Sequence, residues 1–186
     1  MSDQNYSLCR TVDKNIILKN LMKWRNEQKD MLRNPKELTW ADQERYWQML
    51  IAEDSKRYGN TIWMQPLTLD KEMIGWCGLT NIDWGIGFVI KAEPSFIVAT
   101  ERALNPAIYE EDLIYFLTEI KEIFFNNGYW KGHKLYAEGY DLPDRQHHLA
   151  IFEKNGFKRE GILRQHVMRN KVYVDSIMYG MLKEDL

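Results

Sequence analysis

Three groups of residues in this 186-residue chain have the types and spacing to do chemistry. The first is Glu93, in Lys91-Ala92-Glu93, three residues ahead of the apolar run Phe96-Ile97-Val98. A carboxylate so placed acts as a general base, directly or through a water, once burial raises its pKa. The alternative is a structural ion pair with Lys91 or Arg102. The second group is Arg102-Ala103-Leu104-Asn105-Pro106-Ala107, continued by Ile108, which opens onto a helix. A helix N-terminus offers backbone N–H groups and a favourable dipole to an anion. Asn is the non-glycine residue that best tolerates left-handed backbone, and Pro fits a first helical turn. Glu110, Glu111 and Asp112 compete with an anionic ligand there. The third group is His147-His148, because imidazole titrates near neutrality. A solvated pair of surface histidines is the plainer reading of it.

Periodicity and caps supply the elements that must position these groups. Residues 6–12 read as a first strand. Ile16, Leu18, Leu21, Met22 and Trp24 recur at helical spacing between Asn15 and Arg33, and Pro35 closes that segment. Thr39 is an N-cap for a second helix carrying Trp40, Tyr46, Trp47, Leu50 and Ile51. Residues 61–69 and 73–83 form two strands around Asp70-Lys71-Glu72, with Pro66 marking an edge or a bulge. A strand at 92–100 follows, then a helix from Tyr109 to Asn127 ended by Asn126-Asn127-Gly128. Lys134 to Tyr140 is a strand and Arg145 to Asn155 a helix. A hairpin turning at Arg169-Asn170-Lys171 completes the order β-αα-βββ-α-β-α-ββ, which implies a mixed α/β sheet covered by helices.

Composition narrows the function classes. An apolar fraction of 45% and seven tryptophans suffice for one packed core, so residues 1–186 are expected to form a single domain. A net charge of -2 argues against a nucleic-acid binder. Cys9 and Cys77 show neither metal-ligand spacing nor a disulfide framework, so no metal is expected. The opening MSDQNYSLCR lacks the features of a secretion signal, and no apolar run reaches the roughly 18 residues that span a bilayer. The expectation is a cytoplasmic protein without a membrane partner.

The last forty residues carry a resemblance. Glu153-Lys154, Gly156-Phe157, Glu160-Gly161 and Arg164, then Lys171-Val172-Tyr173-Val174-Asp175, resemble the C-terminal half of the GNAT N-acetyltransferases, especially their RimJ/RimL-like branch. The element order agrees along nearly the whole chain. The resemblance implies the GNAT fold, a central twisted mixed sheet whose strands 92–100 and 134–140 splay apart, with helices on both faces. It implies acetyl-CoA as co-substrate, its pantetheine arm against the backbone of Phe96, Ile97 and Val98. Its pyrophosphate would sit on the loop of Arg102, Asn105, Ala107 and Ile108, with Arg145 and Phe152 close by. Here Arg102 and Ala107 match that loop, and Asn105 stands where its first glycine is usual.

The resemblance makes Glu93 the general base. The family's usual tyrosine acid is replaced by Phe152, which has no proton to give, so Tyr140 and His148 become the substitutes. Trp24, Arg25, Trp84, His166 and Tyr173 are candidates for acceptor contact, with core packing the plainer reading of the tryptophans. The Trp24-Arg25-Asn26 triplet also occurs in some sugar-directed members. The implied reaction is direct attack of a primary amine within a ternary complex, by a monomer or homodimer. The acceptor is a small metabolite, an amino sugar, a polyamine-like amine or a protein N-terminus. Two alternatives stay open: a non-catalytic binding module of the same fold, and an acyltransferase using a donor other than acetyl-CoA.

Overall fold

The structure is a computed structural model that describes residues 5–8, 11–33, 35–56, 59–169 and 171–186. Cys9 and Asn170 lie outside the described residues. Seven strands form one sheet in the order β1-β2-β3-β4-β5-β7-β6. They are β1 (Tyr6–Leu8), β2 (Trp63–Leu69), β3 (Glu72–Trp84), β4 (Val89–Val98), β5 (Lys134–Tyr140), β6 (Lys158–Arg169) and β7 (Val172–Leu182). The helices are α1 (Lys14–Glu27), α2 (Trp40–Asp54), the single turn α3 (Thr100–Ala103), α4 (Pro106–Lys121) and α5 (Gln146–Lys154). α4 continues as a π-helical turn over Glu122–Asn126. The mixed α/β class is as the sequence implied. β4 starts three residues before the expected 92 and stops at Val98, because Ala99 already caps α3. The helix expected from Tyr109 begins at Pro106.

Backbone contacts divide the chain into two compact units, Met1–Thr80 with Ser95–Phe116, and Asn81–Pro94 with Leu117–Leu186. In the first, Asp13 caps α1 by accepting from the Asn15 N–H at 2.8 Å. α1 buries Ile17, Leu18, Leu21 and Trp24, spaced one, three and three residues apart along one face. Thr39 and Asp42 form a capping box that opens α2. Ile17, Leu21 and Trp76 pack with Tyr46, Trp47, Leu50 and Met64 between the helices and β2–β3. Pro66 lies beside a register shift between Leu67 and Thr68, where a missing N–H does least harm. Asp70 and Lys71, both at positive φ, make the two-residue turn joining β2 to β3.

In the second unit β5 pairs antiparallel with β7 along its whole length, from Lys134↔Leu182 to Tyr140↔Ser176. Side chains alternate across β5, so Leu135, Ala137 and Gly139 are buried while Tyr136, Glu138 and Tyr140 stand on the other face. Gly139 sits close under α5: a Cβ there would come within 2.2 Å of the Leu149 side chain, which would have to move. Gly156 ends α5 with φ +91°, a conformation that glycine adopts without a steric cost.

Candidate active site

β4 and β5 are the parallel neighbours in the sheet, and their ladder is short. Lys91↔Lys134 and Ala92↔Leu135 are its pairs, although β4 runs on to Val98 and β5 to Tyr140. Pro94, which has no N–H, lies two residues past the last pair. Further along β4, the Ala99 N–H donates to the Ile74 carbonyl at 2.8 Å. Backbone groups alternate in direction along a strand, so Phe96 and Val98 direct theirs away from β3. The Val98 carbonyl accepts from Gln28 Nε2 at 2.8 Å. The Phe96 ring is occupied otherwise, stacked on Phe116 at 5.3 Å.

The second unit brings carboxylates to one face of β4 and β5. Glu93 is 7% exposed and its Oε2 accepts from Asn81 Nδ2 at 2.7 Å. Asn81 sits at φ +49° in β3, a local kink that delivers its amide to Glu93. Lys91 Nζ lies 5.8 Å from the centre of the Tyr136 ring, which puts Lys91 and Tyr136 on the same face. Alternation places Glu93 there too, along with Glu138 and Tyr140. Glu138 Oε1 accepts from Ser176 Oγ at 2.6 Å, and His166 Nε2 lies 3.8 Å from the same oxygen. The Arg169 guanidinium covers the Tyr140 ring at 4.6 Å. Glu138 was missed in the sequence. Its signal was a lone carboxylate within the strand Lys134–Tyr140, whose alternate residues are Leu135, Ala137 and Gly139.

The loop before α4 departs from expectation. Arg102 is engaged within the fold: its Nε and Nη2 donate to Asp112 at 2.7 Å each. Asp112 is fully buried, and the Tyr6 hydroxyl donates to it at 2.8 Å. Burial and the Asp112 carboxylate together push the Tyr6 phenol pKa up. Asp112 therefore holds Arg102 in place and does not crowd a ligand. Asn105 is not in the left-handed region either. It caps α4, its Oδ1 accepting from the Ala107 and Ile108 N–H groups at 3.2 and 3.3 Å. The N–H groups of Arg102, Ala103, Leu104, Asn105 and Tyr109 donate to carbonyls within residues 99–105. Pro106 has none, so every donor from 102 to 109 is already spent within the loop. A pyrophosphate would have to displace the Asn105 side chain to reach the Ala107 and Ile108 N–H groups.

No protein-family model matches this sequence, and no curated protein matches it. Solved structures do match. A chimera of Vibrio cholerae spermidine N-acetyltransferase SpeG with hSSAT is 18% identical and superposes with a TM-score of 0.70, over 98% of this chain and 97% of that one. Ribosomal-protein-S5-alanine acetyltransferase from Vibrio fischeri is 17% identical with a TM-score of 0.70, over 100% and 96% of the two chains. Vibrio cholerae spermidine N-acetyltransferase in complex with CoA and spermine is 18% identical with a TM-score of 0.62, over 100% and 98%.

The fold is that of the GNAT N-acetyltransferases.

Against the residues the GNAT resemblance implied, several side chains have other duties. Phe152 is buried against His148, Phe157 and Tyr179, and so is core rather than ligand wall. His148 is driven down to a pKa of about 4 by burial, then by Arg145 and His147. The neutral imidazole that this favours is a much weaker proton donor to a leaving thiolate than an imidazolium, which weighs against the acid role expected of it. Arg145 closes a 3-10 turn over Pro143–Arg145, where its charge serves to depress His148. Trp24 is 3% exposed in the α1 core. Trp84 stacks on Trp130 at 5.6 Å, so both tryptophans follow the plainer packing reading. Asn26 of the triplet is spent on the Leu38 backbone, donating to its carbonyl and accepting from its N–H. Arg25 keeps a buried Nε without a hydrogen-bond partner. Tyr173 is exposed on the β6–β7 hairpin opposite Met168.

Proposed function

We propose that residues 1–186 form a single acetyltransferase domain that moves an acetyl group from acetyl-CoA to a primary amine. The observation that carries the reading is the β4–β5 ladder, which stops after Ala92↔Leu135 beside Glu93 and Glu138. A strand edge left without its neighbour is where an extended amide chain such as pantetheine pairs with backbone. Phe96 and Val98 supply the backbone groups for it and an N–H to polarise the thioester carbonyl. Two carboxylates on one face suit an ammonium acceptor. Glu93 takes one proton from the ammonium, and the amine nitrogen attacks the thioester carbon. The C–S bond breaks as the C–N bond forms, and the nitrogen's second surplus proton, made acidic by acylation, passes to water. The thiolate leaves as an anion or takes a proton from Tyr140, a thiol being acidic enough to depart unaided. Glu138, held by Ser176 and beside His166, orients the acceptor. Arg25 and Tyr173 are secondary candidates for contact with it.

The acceptor is a small amine in this reading, supported by the spermidine acetyltransferases among the similar folds. A protein N-terminus has support from the ribosomal-protein acetyltransferase. We place the protein in the cytoplasm, as a monomer or homodimer. No helix among the described residues is long and apolar enough to cross a membrane. The spent donors of residues 102–109 favour a second reading, in which the acyl donor is not anchored through a pyrophosphate. Thiol release during incubation with acetyl-CoA and a panel of amines tests the first reading. Glu93→Gln is expected to lower kcat at least tenfold with the acetyl-CoA KM unmoved. Full activity of that variant, or no turnover of any amine by the wild type, overturns it.

A further inference from the structure

Two hydrogen-bond donors of the first unit, Arg25 on α1 and Tyr46 on α2, are electrostatic neighbours, and neither has an acceptor among the described residues. Arg25 is half-buried, and its Nε is sealed from solvent without a partner. Its Nη atoms make no hydrogen bond or ion pair with any described residue, yet they are not sealed. That edge of the guanidinium is open. Glu27 accepts from the Thr100 hydroxyl, Asp42 caps α2 and Glu44 pairs with Lys14 at 2.7 Å, so these carboxylates of α1 and α2 are engaged elsewhere. Gln43 Oε1 is also sealed without a donor, but a neutral amide does not offset a charge. A guanidinium drawn partly out of water in this way loses solvation without gaining a counter-charge.

The helix face supplies the surroundings. Arg25 follows Leu21 by one turn and continues the face on which Leu21 packs with Trp76 and Tyr46. The Trp76 N–H donates to the Tyr46 hydroxyl at 3.1 Å, which leaves the phenolic proton to give. Burial pushes the Tyr46 pKa up, while the Trp76 N–H and the Arg25 charge pull it back by less, so the phenol keeps that proton. Ile97 packs against the same cluster, and Gln28, three residues beyond Arg25, holds the Val98 carbonyl at 2.8 Å. Both donors therefore adjoin the end of β4 that the acetyl-transfer reading gives to the thioester.

We propose that the acetyl acceptor carries an oxyanion, a carboxylate or a phosphoryl group, which Arg25 and Tyr46 bind. The inference rests on the acetyl-transfer reading and names the class of acceptor within it. A guanidinium presents paired N–H groups that match two oxygens of such an anion, and the phenol adds a further donor. The oxyanion supplies the counter-charge that the described fold withholds from Arg25. A polyamine brings only more positive charge to that position.

Thiol release from acetyl-CoA tests this on matched acceptors. The pairs are β-alanine with 3-aminopropanol, O-phosphoethanolamine with ethanolamine, and glucosamine 6-phosphate with glucosamine; spermidine is run beside them. The anionic member is expected to exceed its partner by about tenfold or more in kcat/KM, the worth of one or two charge-assisted hydrogen bonds. The pair with the widest gap tells carboxylate from phosphoryl. Arg25→Gln should close the gap while the Tm of the free protein holds or rises, because an unneutralised charge is removed. Arg25→Lys should recover part of the gap as a point charge. Equal kcat/KM within every pair overturns the inference, as does spermidine as the best acceptor or a gap that survives Arg25→Gln. A rise in the acetyl-CoA KM of that variant without a rise in the acceptor KM also overturns it, since the anion would then be the donor's. No turnover of any acceptor would overturn the acetyl-transfer reading itself, and the inference with it.

Discussion

Asn105→Ala separates the two things the loop before α4 can do. The Asn105 side chain accepts from the Ala107 and Ile108 N–H groups, which are the donors a pyrophosphate would need. An N-cap of this kind contributes about 1 kcal/mol relative to alanine. For a chain of this length that corresponds to a fall of about 2–4 °C in Tm. If a phosphate takes the two donors, the cap is already broken in the complex, and Asn and Ala are then equivalent. The thermodynamic cycle therefore requires the kilocalorie lost in stability to reappear as tighter binding, about fivefold in Kd. Differential scanning fluorimetry of the free protein gives the first quantity, and titration with CoA gives the second. Acetyl-pantetheine, which has no pyrophosphate, is the control and should bind both forms alike. A variant that loses stability yet binds CoA no better, or less well, refutes the argument. The cap would then not compete with the ligand.

Asp112→Ala leaves the half-buried Arg102 guanidinium and the Tyr6 hydroxyl without their acceptor. Breaking a buried pair from one side costs about 3–5 kcal/mol, which urea denaturation should read as a lower midpoint at unchanged slope. A loss under 1 kcal/mol would mean that the pair is solvated. His148 gives a pH dependence. Its folded pKa of about 4 lies below the ordinary 6.5, so between these values the unfolded chain binds the extra proton. Stability is therefore complete above pH 6.5 and falls as the pH drops towards 4, by up to about 3 kcal/mol and by less where solvent reaches the ring. His148→Phe should flatten that part of the curve; an unchanged slope would place the titration in another group.

Much of the scaffold was legible because its signals are local. Thr39 with Asp42 three residues on, and the apolar stripe of α1, need only near neighbours to act. The same holds for Asp70-Lys71 and Gly156, whose backbone angles are set by the turn each one makes. Glu93 was visible as a carboxylate at the head of an apolar run, and it is 7% exposed. Some misreadings were local as well. Asn105 was assigned a left-handed backbone when its side chain had a simpler use as a cap.

The sequence by itself determined the order of helices and strands and the residue types available for proton transfer. Tertiary structure alone decided their partners. Ser176 reaches Glu138 only because β7 pairs with β5 in one register, and a shift of one residue would turn the hydroxyl to the opposite face. Asp112 captures Arg102 across the α3–α4 corner, which converts an expected anion ligand into a structural strut. Desolvation has the same non-local origin. The Tyr6 phenol pKa is pushed up by burial and by Asp112, more than a hundred residues away in the chain. Hydrogen-bond partners and dielectric surroundings belong to the packed molecule, and a linear pattern of residues contains neither.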